Sequence, residues 1–80
     1  MKLSPVEKAI LVTLYESGDN VPANIADQSD HHSKSVSRSL ADLEDRGHVE
    51  NKGRGVWSLT YSGVDLAELL IEMENRNTSD

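Results

Sequence analysis

Apolar residues at Val6, Ile10, Leu11 and Leu14 recur at helical spacing, which gives the first segment one apolar face. The predicted helix has a marked start. In "SPVE", Ser4 is placed to cap, Pro5 suits the first helical position and Glu7 completes a capping box. "SGDN", Ser17 to Asn20, is a stop-and-turn signal. "VPANIADQ" then reads as a short extended link at Val21 and a brief helix with Pro22 in its first turn, Ile25 and Ala26 facing inward. In "SKSVSRSLADLEDRG" the stripe Val36, Leu40, Leu43 predicts a third helix over 33–46. Ser33 is its expected cap and Gly47 its C′ glycine.

After Gly47 the period changes. "HVEN" and "GVWSL" are short strand-compatible runs joined by a glycine-containing loop, the pattern of a β-hairpin. Val49 is expected to face inward, and Val56, Ser58 and Thr60 to alternate with Trp57 and Leu59. Trp57 and Tyr61 are expected in the core, because the chain has only one Trp, two Tyr and no Phe with which to fill it. Thr60 reads as the cap of a last helix, "YSGVDLAELLIEMEN". Its apolar positions form two stripes, Leu66, Leu69, Leu70, Met73 and Val64, Ala67, Ile71. An arc this wide exceeds what a helix needs to pack on its own domain. A homodimer is therefore expected through Val64, Ala67 and Ile71, or through the other stripe. "NRNTSD" is polar, so residues 1–74 are expected to form a single domain and 75–80 a disordered tail.

Eighty residues support one small core, which dimerisation would help to stabilise. The absence of cysteine excludes disulfides, thiolate metal sites and thiol nucleophiles. No run of 18 or more apolar residues is present, and "MKLSPVEKAI" lacks the layout of a signal peptide, so the expectation is a cytoplasmic protein without a membrane partner. No spacing of Ser, His and Asp implies a catalytic triad, and the "GRG" tip is too short to cradle a phosphate, which argues against an enzyme. His31, His32 and His48 lack the partners of a metal set. The first two read as loop residues and His48 as a hydrogen-bonded, partly buried histidine. No cofactor is expected.

The formal charge of −6 argues at first against a nucleic-acid partner. Its distribution changes that view. From His31 to Ser58, Lys34, Arg38, Arg46, Lys52 and Arg54 face four carboxylates, whereas the rest of the chain sets three cations against ten. The middle is the least acidic part. Abundant carboxylates, low lysine and no phenylalanine also suit a salt-loaded cytoplasm.

"NIAD", "SKSVSRSLADLEDRGHVE" and "GRGVWSLTYSG" together resemble the winged helix-turn-helix regulators, above all MarR-like and haloarchaeal phage-repressor-like DNA-binding proteins. The resemblance spans Pro22 to Gly63. It implies a mainly α fold with a small β-hairpin (α+β): three N-terminal helices, a two-stranded wing with a short third strand near Val21, and a C-terminal helix. It also implies a transcription regulator, a repressor, of halophilic archaeal type. The chain departs from the family at His48, where an apolar residue is usual, and in having fewer bases on the recognition helix.

The chemistry of the residues points the same way. A recognition helix presents short polar and cationic side chains to base edges while its other face is anchored. With Val36, Leu40 and Leu43 inward, Lys34, Ser35, Ser37, Arg38 and Asp42 fall on or near the outward face. Arg38 is the expected base contact, matching guanine O6 and N7. Lys34, Ser35 and Ser37 are expected on phosphates or bases, and Ser33 at the helix start, where N–H groups face a phosphate. On the wing, 50–56, Lys52 is expected on the DNA backbone and Arg54 at the minor groove, with Gly53 and Gly55 serving the hairpin. The expected partner is thus double-stranded DNA. The alternative is a winged-helix module for protein–protein contact, which the net charge and Asp42, Glu44 and Asp45 favour.

Overall fold

The computed structural model of the chain describes residues 2–78, with side chains described to Asn75. Its elements run α1 (Pro5–Ser17), α2 (Pro22–Ser29), α3 (Ser33–Asp45), β1 (Val49–Asn51), β2 (Trp57–Leu59) and α4 (Tyr61–Thr78). This is the expected mainly helical winged helix-turn-helix order.

The N-terminus of α1 closes as its sequence implies. The Glu7 amide donates to Ser4 Oγ at 3.1 Å, and the Ser4 amide donates to Glu7 Oε1 at 2.9 Å. Ile10, Leu11 and Leu14 then enter a core with Ile25, Ala26, Val36, Leu40, Leu43, Val49 and Ala67. α1 lies centrally, in contact with α2, α3, α4 and β2. The other main feature of α1 is long-range. Glu7 is buried, and its Oε2 meets Arg46 Nη2 at 3.3 Å, pinning the end of α3 to the start of α1.

β1 and β2 pair antiparallel, with Val49 opposite Leu59, Glu50 opposite Ser58 and Asn51 opposite Trp57. The third strand expected near Val21 is a single bridge one residue earlier. Asn20 donates to the Trp57 carbonyl at 3.0 Å and accepts from the Trp57 amide at 2.7 Å. Trp57 itself packs on the core.

The turn from β2 into α4 is tight. Thr60 Oγ1 donates to the Gly47 carbonyl at 2.6 Å and accepts from the Gly63 amide at 3.2 Å, so it caps α4 as predicted and also ties it to the turn after α3. Gly63 sits against His48, the residue before β1, and a Cβ there would overlap the His48 carbonyl. No side chain fits at that position.

Two expectations are corrected, and two details of α4 bear on others. Ser33 does not cap α3: His32, with extended φ −67° and ψ 140°, occupies the cap position without a side-chain bond, and Ser33 is already helical. Tyr61 is not a core residue but 94% exposed, because α4 turns its Gly63 side toward the domain. Ala67 is fully buried in this chain's own core, while Val64 and Ile71, expected with it at a dimer contact, are half-buried. Finally, α4 continues to Thr78, so residues 75–78 of the expected tail are helical, and residues 79–80 lie outside the described residues.

Candidate nucleic-acid interface

α3 is amphipathic because its sequence is. Val36, Leu40 and Leu43 are fully buried, which leaves Ser33, Lys34, Ser35, Ser37, Arg38 and Asp42 exposed. At 100° per residue, Lys34 and Arg38 lie near the middle of the outward side, with Ala41 and Asp45 continuing the stripe toward the C-terminus. The cations thus occupy the first half of the helix. Asp42, Glu44 and Asp45 occupy the last turns. No ion pair engages Lys34 or Arg38 among the described residues, so both heads are open to a ligand.

The helix is held from behind at its C-terminal end. The Gly47 amide bonds to the Glu44 carbonyl and the His48 amide to the Leu43 carbonyl, both at 2.9 Å, with Gly47 at φ +82°. The chain then passes straight into β1. His48 is buried, and its Nδ1 lies 2.7 Å from Ser62 Oγ, linking the strand to the first turn of α4. This is the hydrogen-bonded histidine that the sequence suggested. Its Nε2 and the buried Ser58 Oγ have no hydrogen-bond partner among the described residues.

The wing tip has unusual backbone geometry. Gly53, Arg54 and Gly55 follow one another at φ +98°, +56° and +74°. The two glycines therefore meet a conformational requirement, as the hairpin reading held. Arg54 has no such excuse, since an L-residue in the left-handed region costs about 1 kcal/mol. The Lys52 amide donates to the Val56 carbonyl at 2.7 Å and the Gly53 amide to Asn51 Oδ1 at 2.8 Å, and these bonds hold the tip closed. Both Lys52 and Arg54 are exposed.

Two participants were not found by sequence reasoning. Arg46 counted among the cations of the middle, but its guanidinium is held by Glu7. A contact between residues 39 positions apart leaves no local signal. Asn51 caps the wing tip, and the signal for that was present in "NKG", a polar Asx residue two positions before a glycine.

His32 is exposed and His31 half-buried beside Asp27 and Asp30, and no group of three or more metal-binding side chains is assembled among the described residues. No helix among them is long and apolar enough to cross a membrane.

No family model matches the sequence, and no curated protein does either. Solved structures do. ZitR of Lactococcus lactis superposes with a TM-score of 0.83 at 22% identity, covering 95% of this chain and 54% of that one. The MarR family regulator SPO1453 from Silicibacter pomeroyi gives 0.83 at 24%, covering 92% and 56%. A third structure, ZitR in complex with DNA, gives 0.79 at 24%, covering 95% and 56%. The chain therefore spans little more than half the length of these proteins. At such identities the likeness establishes architecture, and the chain has the winged helix-turn-helix fold seen in these MarR-family regulators.

Proposed function

We propose that this chain is a sequence-specific double-stranded DNA-binding transcription regulator, a repressor, that inserts α3 into the major groove and lays its wing on the backbone and minor groove. One observation carries the reading: α3, anchored by Val36, Leu40 and Leu43, leaves Lys34, Ser35, Ser37 and Arg38 exposed, and no described residue pairs with either cationic head. That is the arrangement major-groove readout needs. The wing supports it. Arg54 stands at a position where its backbone conformation favours glycine, which calls for a role beyond the turn. ZitR, which has the same fold, binds DNA.

In this reading Arg38 reads a guanine, Lys34, Ser35 and Ser37 hold phosphates or neighbouring bases, and the helix start at exposed Ser33 approaches a phosphate. Lys52 meets the backbone and Arg54 the minor groove. Binding as a homodimer through α4 belongs to the same proposal. With Ala67 spent in the core, the contact falls to Leu69 and Met73, each 51% exposed, flanked by half-buried Leu66 and Leu70. Two-fold pairing would place half-sites about 34 Å apart, or a multiple of that.

A protein–protein module is the second reading, favoured by the charge of −6 and by Asp42, Glu44 and Asp45 on α3. The deciding experiment measures binding of the parent, Arg38→Ala and Arg54→Ala to genomic fragments across a salt series. DNA binding predicts loss in both variants and a slope of log affinity against log salt flatter by roughly one unit for each phosphate contact removed. A parent that retains no fragment, or variants that bind as it does, would leave the protein–protein reading standing.

A further inference from the structure

Asp42 lies one helical turn beyond Arg38 on α3, exposed like it, and no side chain engages either among the described residues. Side chains four apart on a helix are neighbours, with Cβ atoms about 5–6 Å from each other. A group placed to reach a base edge through Arg38 therefore brings a carboxylate to the same groove. Such a neighbour is costly beside phosphates unless it has a partner of its own.

The chemistry of the carboxylate restricts that partner. An ionised Asp has acceptors only. On the major-groove edge, guanine offers O6 and N7 and thymine offers O4, all of which repel it. Cytosine N4 and adenine N6 are donors, and cytosine N4 is the usual partner of an acidic side chain. One turn of helix rises about 5.4 Å, so the base that Asp42 meets lies within about two base pairs of the one that Arg38 meets.

We infer that Asp42 is a specificity-determining residue of α3: it demands a base with a major-groove amino group, cytosine first, beside the guanine read by Arg38, and it excludes guanine and thymine there. The inference rests on the DNA-binding reading above. It also gives the acidic second half of α3 a use. The carboxylate lowers affinity for every sequence and returns it only to the one that supplies a donor, so selectivity is obtained by rejecting competitors.

The test is selection from a pool of randomised duplex oligonucleotides with the parent, Arg38→Ala, Asp42→Ala and Asp42→Asn. The parent should enrich a guanine with cytosine or adenine at one neighbouring position, with discrimination of roughly tenfold at that position. Asp42→Ala should keep the guanine, lose the preference beside it and bind the unselected pool more tightly. Asp42→Asn, whose amide both donates and accepts, should move the preference to adenine. Arg38→Ala should lose the guanine. If Asp42→Ala and Asp42→Asn enrich the same site as the parent, Asp42 reads nothing and the inference falls while DNA binding stands. If the parent enriches nothing, both fall together.

Discussion

Arg54 and Gly63 show opposite ways in which one residue can be held by its backbone. Arg54 sits at φ +56° where nothing steric stops a glycine. Arg54→Gly would relieve about 1 kcal/mol of backbone strain but add a comparable amount of unfolded-state entropy. The two effects nearly cancel, so urea unfolding should change by less than about 0.5 kcal/mol while DNA affinity falls. A variant losing stability and affinity in parallel would mean the arginine is needed for the hairpin and not for the ligand. Gly63 is the reverse case. Alanine in a helix ordinarily gains about 1 kcal/mol over glycine. Here its Cβ would overlap the backbone carbonyl of His48, and overpacking of that kind costs about 1–3 kcal/mol. The overlap wins. Gly63→Ala should lower the urea midpoint through this overlap, whereas Gly53→Ala, with open space around it, should lower it through the strain of a side chain at φ +98°.

Among the elements, what was legible in the sequence was what short-range chemistry specifies. Ser4, Pro5 and Glu7 specify the start of α1, Val36, Leu40 and Leu43 the inner face of α3, and Thr60 the cap of α4. The apolar stripes could not say which of them a neighbour would cover. That is why Ala67, read as surface, is buried, and why Tyr61 points out: Gly63, with no side chain, lets its own side of α4 close onto His48 and Leu59. The Ser33 cap failed for a related reason. In "HHSKS" a serine has the better propensity, but α3 begins one residue early, and His32 takes the extended position. The readable part of the site was its composition, Lys34 to Arg38 and the wing tip. The placement of Arg46 on Glu7 was decided by tertiary packing. For α4, the contact proposed at Leu69 and Met73 gives a direct expectation. Leu69→Glu with Met73→Glu should sediment as a monomer at concentrations where the parent is a dimer, with its circular dichroism unchanged because both positions are half exposed. A parent that is monomeric at tens of micromolar in both low and high salt would remove the dimer.

For the whole molecule the governing quantity is charge. With fourteen carboxylates against eight cations, the excess negative charge repels itself most when salt is scarce, since the Debye length is about 30 Å at 0.01 M and about 3 Å at 1 M. Thermal melts should accordingly rise as potassium chloride is raised from millimolar to molar, and a flat or falling midpoint would show that self-repulsion is unimportant. The same salt weakens phosphate contacts, so DNA affinity and stability should move in opposite directions along one titration. In strong salt the remaining affinity would come from base contacts, which places more weight on Arg38 and Asp42 than on Lys52.

The seat of Gly63 on the His48 carbonyl also has a consequence in angle. α4 runs on to Thr78, 15 residues past Gly63, so its far end lies about 23 Å from that joint at about 1.5 Å per residue. A tilt of about 5° there would swing the far end by about 2 Å. In a two-fold pair joined along this helix the displacement enters twice, and the two reading helices would shift relative to each other by about 4 Å, more than the 3.4 Å step between base pairs. A hydrogen atom in place of a methyl group, in the first turn of one helix, would then work as the protractor that decides which operator spacing two copies can span.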